Sequence, residues 1–233
     1  MHPEHKILLD QLTAAGRPST GFDGSAYHGS GHRFLNVSVP DRRRIAKAWA
    51  GAHKAWPARD VLEVTESLLA GETHEEKTLG LLLLEQHRPA RLATGPAEAG
   101  RWLDRLTGWA EVDSLCQNLF PAEQQLADWP AWSALIRRLA RDPNINKRRA
   151  ALVLLTGPAR RSDDPRVNDL AFETVETLKA ERPIIITKAV SWVLRSMAER
   201  DAGPVADYLD RHASSLPAIA VRETRRKIAT GRK

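Results

Sequence analysis

Apolar residues recur at the helical period along almost the whole of this 233-residue chain, and no stretch sustains the two-residue alternation of a half-buried strand. That confines the fold to helices packed on helices. Pro40-Asp41 opens a stretch, DRRRIAKAWAGAHKAW, that closes before Pro57, and residues 60–69 and 75–87 read as the next two helices. Further starts are expected near Ala97, Trp109, Pro130, Ile145, Val167, Ile184, Pro204 and Ala218. Several begin at a proline, or just after Asp-Pro or Asn, where a missing N–H is tolerated or a side-chain oxygen caps the first turn. The glycine-rich segment 16–31 is the one long piece without a period, and it is expected to be a loop.

Alternate helices can be laid over one another. The segments RRIAKAW, EEKTLGLLLL, VDSLCQNL, RRAALVLL, TKAVSWVL and RRKIA bring Arg44, Glu76, Asp113, Arg149, Lys188 and Arg225 into register at intervals of 32, 37, 36, 39 and 37 residues. This is the spacing of helix-pair repeats, each of which buries its apolar side only by stacking on its neighbours. The expectation is a single all-α array of about six helix pairs over residues 1–233, with aligned positions on one face. It also fits the lack of a strand-borne nucleophile elbow, phosphate loop or dinucleotide fingerprint.

Charge is segregated along this array. Residues 137–161 carry eight Lys or Arg against Asp142 alone, and residues 222–233 carry six against Glu223. Residues 60–86 hold seven acidic side chains against Lys77. With 35 basic and 29 acidic residues the net charge is +6, and the uneven distribution suits a polyanion on one side of the molecule. Cys116 is the single cysteine, which excludes an intrachain disulfide and a thiolate zinc cluster. His28 and His32 are four apart among glycines without a carboxylate at ligand spacing, so neither a metal nor a cofactor is expected. No apolar run approaches the roughly 18 residues of a membrane helix, and the opening MHPEHKILLDQL lacks the build of a signal peptide. The chain therefore reads as cytoplasmic, with a monomer as the default.

Three helices combine charge with aromatic or apolar partners one turn apart: Trp109 with Asp113, Ile145 with Arg149, and Lys188 with Trp192. Seven Trp against four Phe and two Tyr is an unusual aromatic choice, and indole offers the best face for a cation. Trp102, Trp129 and Trp132 sit in contexts of core and connector packing.

These residues carry a resemblance. Tyr27 followed by RFLNVSVPDRRRIAK, then LDRLTGWAEVDSLC, NINKRRAALVLL, TKAVSWVLRSMAE and RETRRKIA, together resemble the AlkD-like DNA alkylation repair glycosylases from Tyr27 to about Ile228. The resemblance implies a right-handed solenoid of HEAT-like helical repeats with a basic concave face that holds duplex DNA. It implies Asp113, Trp109 and Trp192 as the active-site residues, with Tyr27 near the lesion and Arg149 on the DNA backbone. With the basic positions of the same helices, the DNA-binding set is Tyr27, Arg43, Arg44, Lys47, Arg148, Arg149, Lys188, Arg195, Arg222, Arg225 and Arg226. The implied activity is excision of cationic N3- or N7-alkylated purines from double-stranded DNA without drawing the base into a pocket. The alternative is a non-catalytic helical-repeat protein that binds branched or damaged DNA. The sequence departs from the family at Asn36, where glycine is usual, at Asn146 and Lys147, which replace bulky apolar residues, and at 184–186, a position commonly aromatic.

Overall fold

The computed structural model describes residues 1–18, 21 and 23–232. It is all-helical: 74% of the described residues lie in fifteen helices, and no strand forms among them. No helix among them is long and apolar enough to cross a membrane. The chain divides into two compact units, Met1–Leu119 and Phe120–Lys233.

The first unit holds α1 (Pro3–Ala15), α2 (Gly24–His28), α3 (Val39–Ala52), α4 (Ala58–Leu69), α5 (His74–Gln86), α6 (Arg88–Leu92), α7 (Pro96–Trp102) and α8 (Gly108–Asn118). Its middle is α5, which packs on α3, α4 and α8. Thr73 and Glu76 start α5 with a capping box, in which the Thr73 side chain accepts from the Glu76 N–H and the Glu76 carboxylate accepts from the Thr73 N–H. Beyond that start Leu79, Leu81, Leu83 and Leu84 are buried around more than one face, as a central helix requires. The outer helix α4 buries only one stripe, Val61, Val64, Leu68 and Leu69.

The second unit holds α9 (Ala122–Ala127), α10 (Trp129–Ala140), α11 (Ile145–Arg161), α12 (Pro165–Leu178), α13 (Ile184–Arg200), α14 (Ala202–His212) and α15 (Ala218–Thr230). Here α11 packs on α13 and α13 on α15, while α10, α12 and α14 flank them. Residues Ala150 through Leu155 of α11 are all fully buried. Pro158 inside α11 has no N–H to give the Leu154 carbonyl. The side-chain amide of Gln125, on α9, donates to that carbonyl instead at 3.2 Å, so a short helix repairs the bond the proline removes.

Helix starts fall at the expected residue for α11, α13 and α15 and within two residues of it for α7, α8, α10, α12 and α14. The glycine-rich segment differs from its expectation. It contains α2, capped by the Asp23 side chain and closed by Gly29 in the left-handed region, while its residues 19, 20 and 22 lie outside the described set. A single helical turn has no apolar period to read. Asn36 adopts φ 57°, which asparagine tolerates better than most residues and which glycine, expected there from the resemblance, would adopt freely. The register positions also part company: Arg44, Lys188 and Arg225 are exposed, whereas Glu76, Asp113 and Arg149 are buried. Glu76 cannot line an open face because its carboxylate closes the capping box and pairs with His5 at 2.8 Å.

Candidate active site

The start of α8 is where the first unit concentrates its chemistry. Gly108 opens the helix at φ 73°, and a Cβ there would come within 2.3 Å of the His28 carbonyl and 2.9 Å of the Ser30 nitrogen. Only glycine lets the backbone of the turn after α2 lie against α8 so closely. Trp109, the next residue, donates its indole N–H to the Tyr27 carbonyl at 3.1 Å.

Ring contacts extend this attachment. Tyr27 stands edge-on to Trp109 with centroids 5.7 Å apart and planes at 78°. His28 lies 4.9 Å from Trp109 and stacks on Phe34 and His74 at 5.4 and 5.2 Å. Burial, ahead of the charge of Arg42, lowers the His28 pKa, which favours the neutral ring that such stacking suits. Tyr27 nevertheless remains 61% exposed. The result is an aromatic wall with one open edge, fixed to its helix by a hydrogen bond. An edge-to-face pair contributes about 0.5–1.5 kcal/mol beyond its buried area.

Asp113 lies one turn further along α8 on the same side as Trp109, and it is 8% exposed. It sits beyond the first turn, where the field of the helix dipole has largely decayed, so that field gives no reason for a carboxylate here.

Beneath the wall lies a second carboxylate. Glu111 is fully buried, and its Oε1 accepts from Ser30 Oγ at 2.9 Å, His32 Nδ1 at 3.0 Å and His74 Nδ1 at 3.0 Å. Its Oε2 accepts from the Thr107 N–H at 2.9 Å. Burial alone would raise the Glu111 pKa, but the bonds from His32, His74 and Thr107 outweigh it and hold the carboxyl at about 2. Behind His74, Arg42 of α3 places Nη1 3.2 Å from its Nε2 and also donates to Thr78 Oγ1. A guanidinium only donates, so His74 Nε2 accepts and its proton sits on Nδ1, aimed at Glu111.

The other expected site residues divide by environment. On α3, Arg43 and Lys47 are exposed one turn apart, with no ion-pair partner among the described residues, and Arg44 is exposed but pairs with Asp41 at 3.0 Å. In the second unit Lys188, Arg222 and Arg226 are exposed with no ion-pair partner among the described residues, and Arg225 pairs with Asp210 at 3.1 Å. Trp192 is half-buried, two turns after the 61% exposed Ile184 on α13. Three arginines work inside the unit. Arg148 grips Glu181 with Nε and Nη2 and donates Nη1 to the carbonyls of Asp142 and Pro143. Arg149 is buried and donates to the Ile185 carbonyl at 2.6 Å. Arg195 bonds Ser191 at 3.2 Å and lies 3.5 Å from Glu223. Trp102 and Trp132 are core residues at 0% and 1% exposure, and Trp129 carries Arg166 over its ring at 5.7 Å.

The sequence model of the family described as DNA alkylation repair enzyme matches residues 8–228. The chain belongs to that family. A solved structure described as a predicted DNA alkylation repair enzyme from Enterococcus faecalis has the same fold, with a TM-score of 0.72 over 88% of this chain and 93% of its own at 18% identity. No curated protein matches the chain. Family membership supports a role in repair of alkylated DNA, with DNA as the partner.

Within this alkylation repair protein, the residues that sequence reasoning passed over are Gly108, Glu111, His74 and Arg42. Glu111 is two residues from Trp109 and so falls off the face that a search one turn on from an aromatic examines. The legible trace was Thr107-Gly108 with Glu111 just behind, a helix start whose carboxylate reaches back to the cap N–H. Glu76 is also held at about 2, burial again opposing and the bonds from His5 and Thr73 prevailing. Both folded values lie below the ordinary 4.5, so the stability these carboxylates contribute is complete above about pH 4.5 and is lost as pH falls through 2. His32, His74 and Lys77 face or surround Glu111, with Arg42 behind His74. Urea unfolding of the full chain is therefore expected to show a midpoint that falls between pH 5 and pH 2.5. A midpoint flat across that window would mean that neither carboxylate is held ionised by its partners.

Proposed function

We propose that this protein is a DNA glycosylase that hydrolyses the N-glycosidic bond of cationic N3- or N7-alkylated purines in duplex DNA. The observation that carries the reading is Asp113 one turn from Trp109 on α8, with Tyr27 set edge-on against the same indole. An aromatic face beside a carboxylate suits a reaction whose substrate and transition state are both cationic.

The chemistry balances without a cofactor. The bond from sugar C1′ to the purine nitrogen breaks, and its electron pair neutralises the cationic base, which departs without general acid. The oxocarbenium-like sugar left behind is stabilised by the Asp113 carboxylate, which also accepts a proton from the water that adds to C1′. At about 4 Å and an effective dielectric near 20, a carboxylate–cation contact is worth roughly 4 kcal/mol, or about a thousandfold in rate. Cation–π contact adds about 0.5–2 kcal/mol per indole. These magnitudes are enough for a base that is already a good leaving group and too small for a normal nucleoside, so selectivity follows from the mechanism. A base left outside a closed pocket departs from the extrusion used by most enzymes that act on bases.

The direct experiment is release of free 7-methylguanine from a duplex carrying one such lesion. Release with no release from the unmodified duplex is the expected result. Tight duplex binding without release from methylated or bulkier N7 adducts would leave the non-catalytic binder. Arg43, Lys47, Lys188, Arg222 and Arg226 are the five cations we assign to phosphates. Neutralising about five phosphates gives a log–log slope of affinity against salt near −4.5, about a 500-fold loss between 50 and 200 mM. Fluorescence anisotropy with a labelled duplex reads it, and a slope near zero would remove the electrostatic contacts from the account.

A further inference from the structure

We propose that Glu111 is a positioning residue for the reaction at Trp109 and Asp113, acting by locking the segment 27–32 onto α8 so that Tyr27 and Trp109 form one preset wall. The proposal rests on the reading of Trp109 and Asp113 as catalytic. Glu111 is 0% exposed and cannot touch DNA, so the reaction itself does not account for it.

A buried carboxylate is costly unless hydrogen-bonded, and an apolar side chain of similar volume often serves stability as well. What the charge adds is direction. Its two oxygens collect donors from the turn after α2 (Ser30 and His32), from α5 (His74) and from the cap of α8 (Thr107). Arg42 pins the His74 proton on Nδ1, so His74 has one way to point.

From that anchor two routes lead to Trp109. The turn held by Ser30 and His32 follows directly on α2, whose Tyr27 carbonyl accepts from the Trp109 indole. The His74 ring stacks on Phe34 at 4.5 Å and on His28 at 5.2 Å, and His28 lies against Trp109. Moving the carboxylate or removing one of its bonds therefore moves both edges of the wall. Glu111→Gln keeps the shape, but whichever way its amide turns, an N–H faces either the Thr107 N–H or the group of three donors.

The test uses the full chain labelled with fluorotryptophan. The seven tryptophans give separate fluorine resonances, and Trp109→Phe assigns one of them. In Glu111→Gln the Trp109 resonance is expected to shift or double while those of the core residues Trp102 and Trp132 stay in place. Single-turnover base release should fall by about tenfold or more, with duplex Kd within about threefold. A merely structural Glu111 would instead lower the melting temperature and disturb the core resonances together. His32→Ala, at a partly exposed loop position, removes one donor and should displace Trp109 in the same way by less, which keeps the test open if Glu111→Gln fails to fold. An unmoved Trp109 resonance in both variants overturns the proposal, as does a displaced resonance with wild-type release. A wild-type protein that releases no base overturns the catalytic reading instead, and the Trp109 resonance still decides whether Glu111 sets the wall.

Discussion

Asp113→Asn is expected to slow excision of 7-methylguanine by about a thousandfold while leaving duplex affinity within a few fold. The substitution keeps the size of a side chain that is 8% exposed, removes its charge and turns one acceptor oxygen into a donor. The loss follows from the proposed division of labour. Binding belongs to exposed cations on α3, α13 and α15, which neutralise phosphates in the ground state. Catalysis belongs to a carboxylate whose attraction grows as the sugar gains positive charge, an interaction stronger in the transition state than before it. An amide still offers a dipole and can orient water, so some rate above background should survive.

The comparison is informative because the two roles separate in one assay. Single-turnover release measures the chemical step, and anisotropy on the same duplex measures affinity. A fall in release of more than tenfold with affinity retained assigns the carboxylate to the reaction. Equal loss of both would make Asp113 a structural residue and return the chain to the class of helical-repeat DNA binders.

Helical period, helix starts and the alternation of inner and outer helices were legible because each rests on side-chain spacing within one segment. So were the core roles of Trp102 and Trp132 and the pairing of Trp109 with Asp113, since a face of α8 can be read from its own sequence. Illegible were relations between segments far apart in the chain. Nothing local shows that Ser30, His32 and His74 converge on Glu111, since 81, 79 and 37 residues separate them from it. The same blindness affects the arginines. Arg148, Arg149 and Arg195 look like their exposed neighbours in sequence, yet Glu181, the Ile185 carbonyl and Glu223 engage them within the second unit. The count of basic residues thus overstates the positive field that such a surface presents.

Gly108→Ala is expected to destabilise the first unit by more than about 3 kcal/mol and to reduce base release sharply. Two terms combine. A non-glycine residue at φ 73° costs about 1–2 kcal/mol from its own Cβ. The added methyl also meets the His28 carbonyl at 2.3 Å and the Gly29 carbonyl carbon at 2.9 Å, all backbone with no rotamer to yield. Relief comes only by lifting the turn off α8, which would break the Trp109–Tyr27 bond and draw Ser30 and His32 away from a carboxylate that stays buried and charged. A nearby comparison isolates the cause: at Gly31 a Cβ meets nothing within 4 Å, so Gly31→Ala should be close to neutral. Thermal unfolding should place Gly108→Ala about 10 °C or more below wild type, and hydrogen exchange should show protection lost in segment 24–32 before the core of α5. A melting temperature within 2 °C of wild type, with full release, would show that the turn and α8 need not touch, and the preset wall would have no foundation.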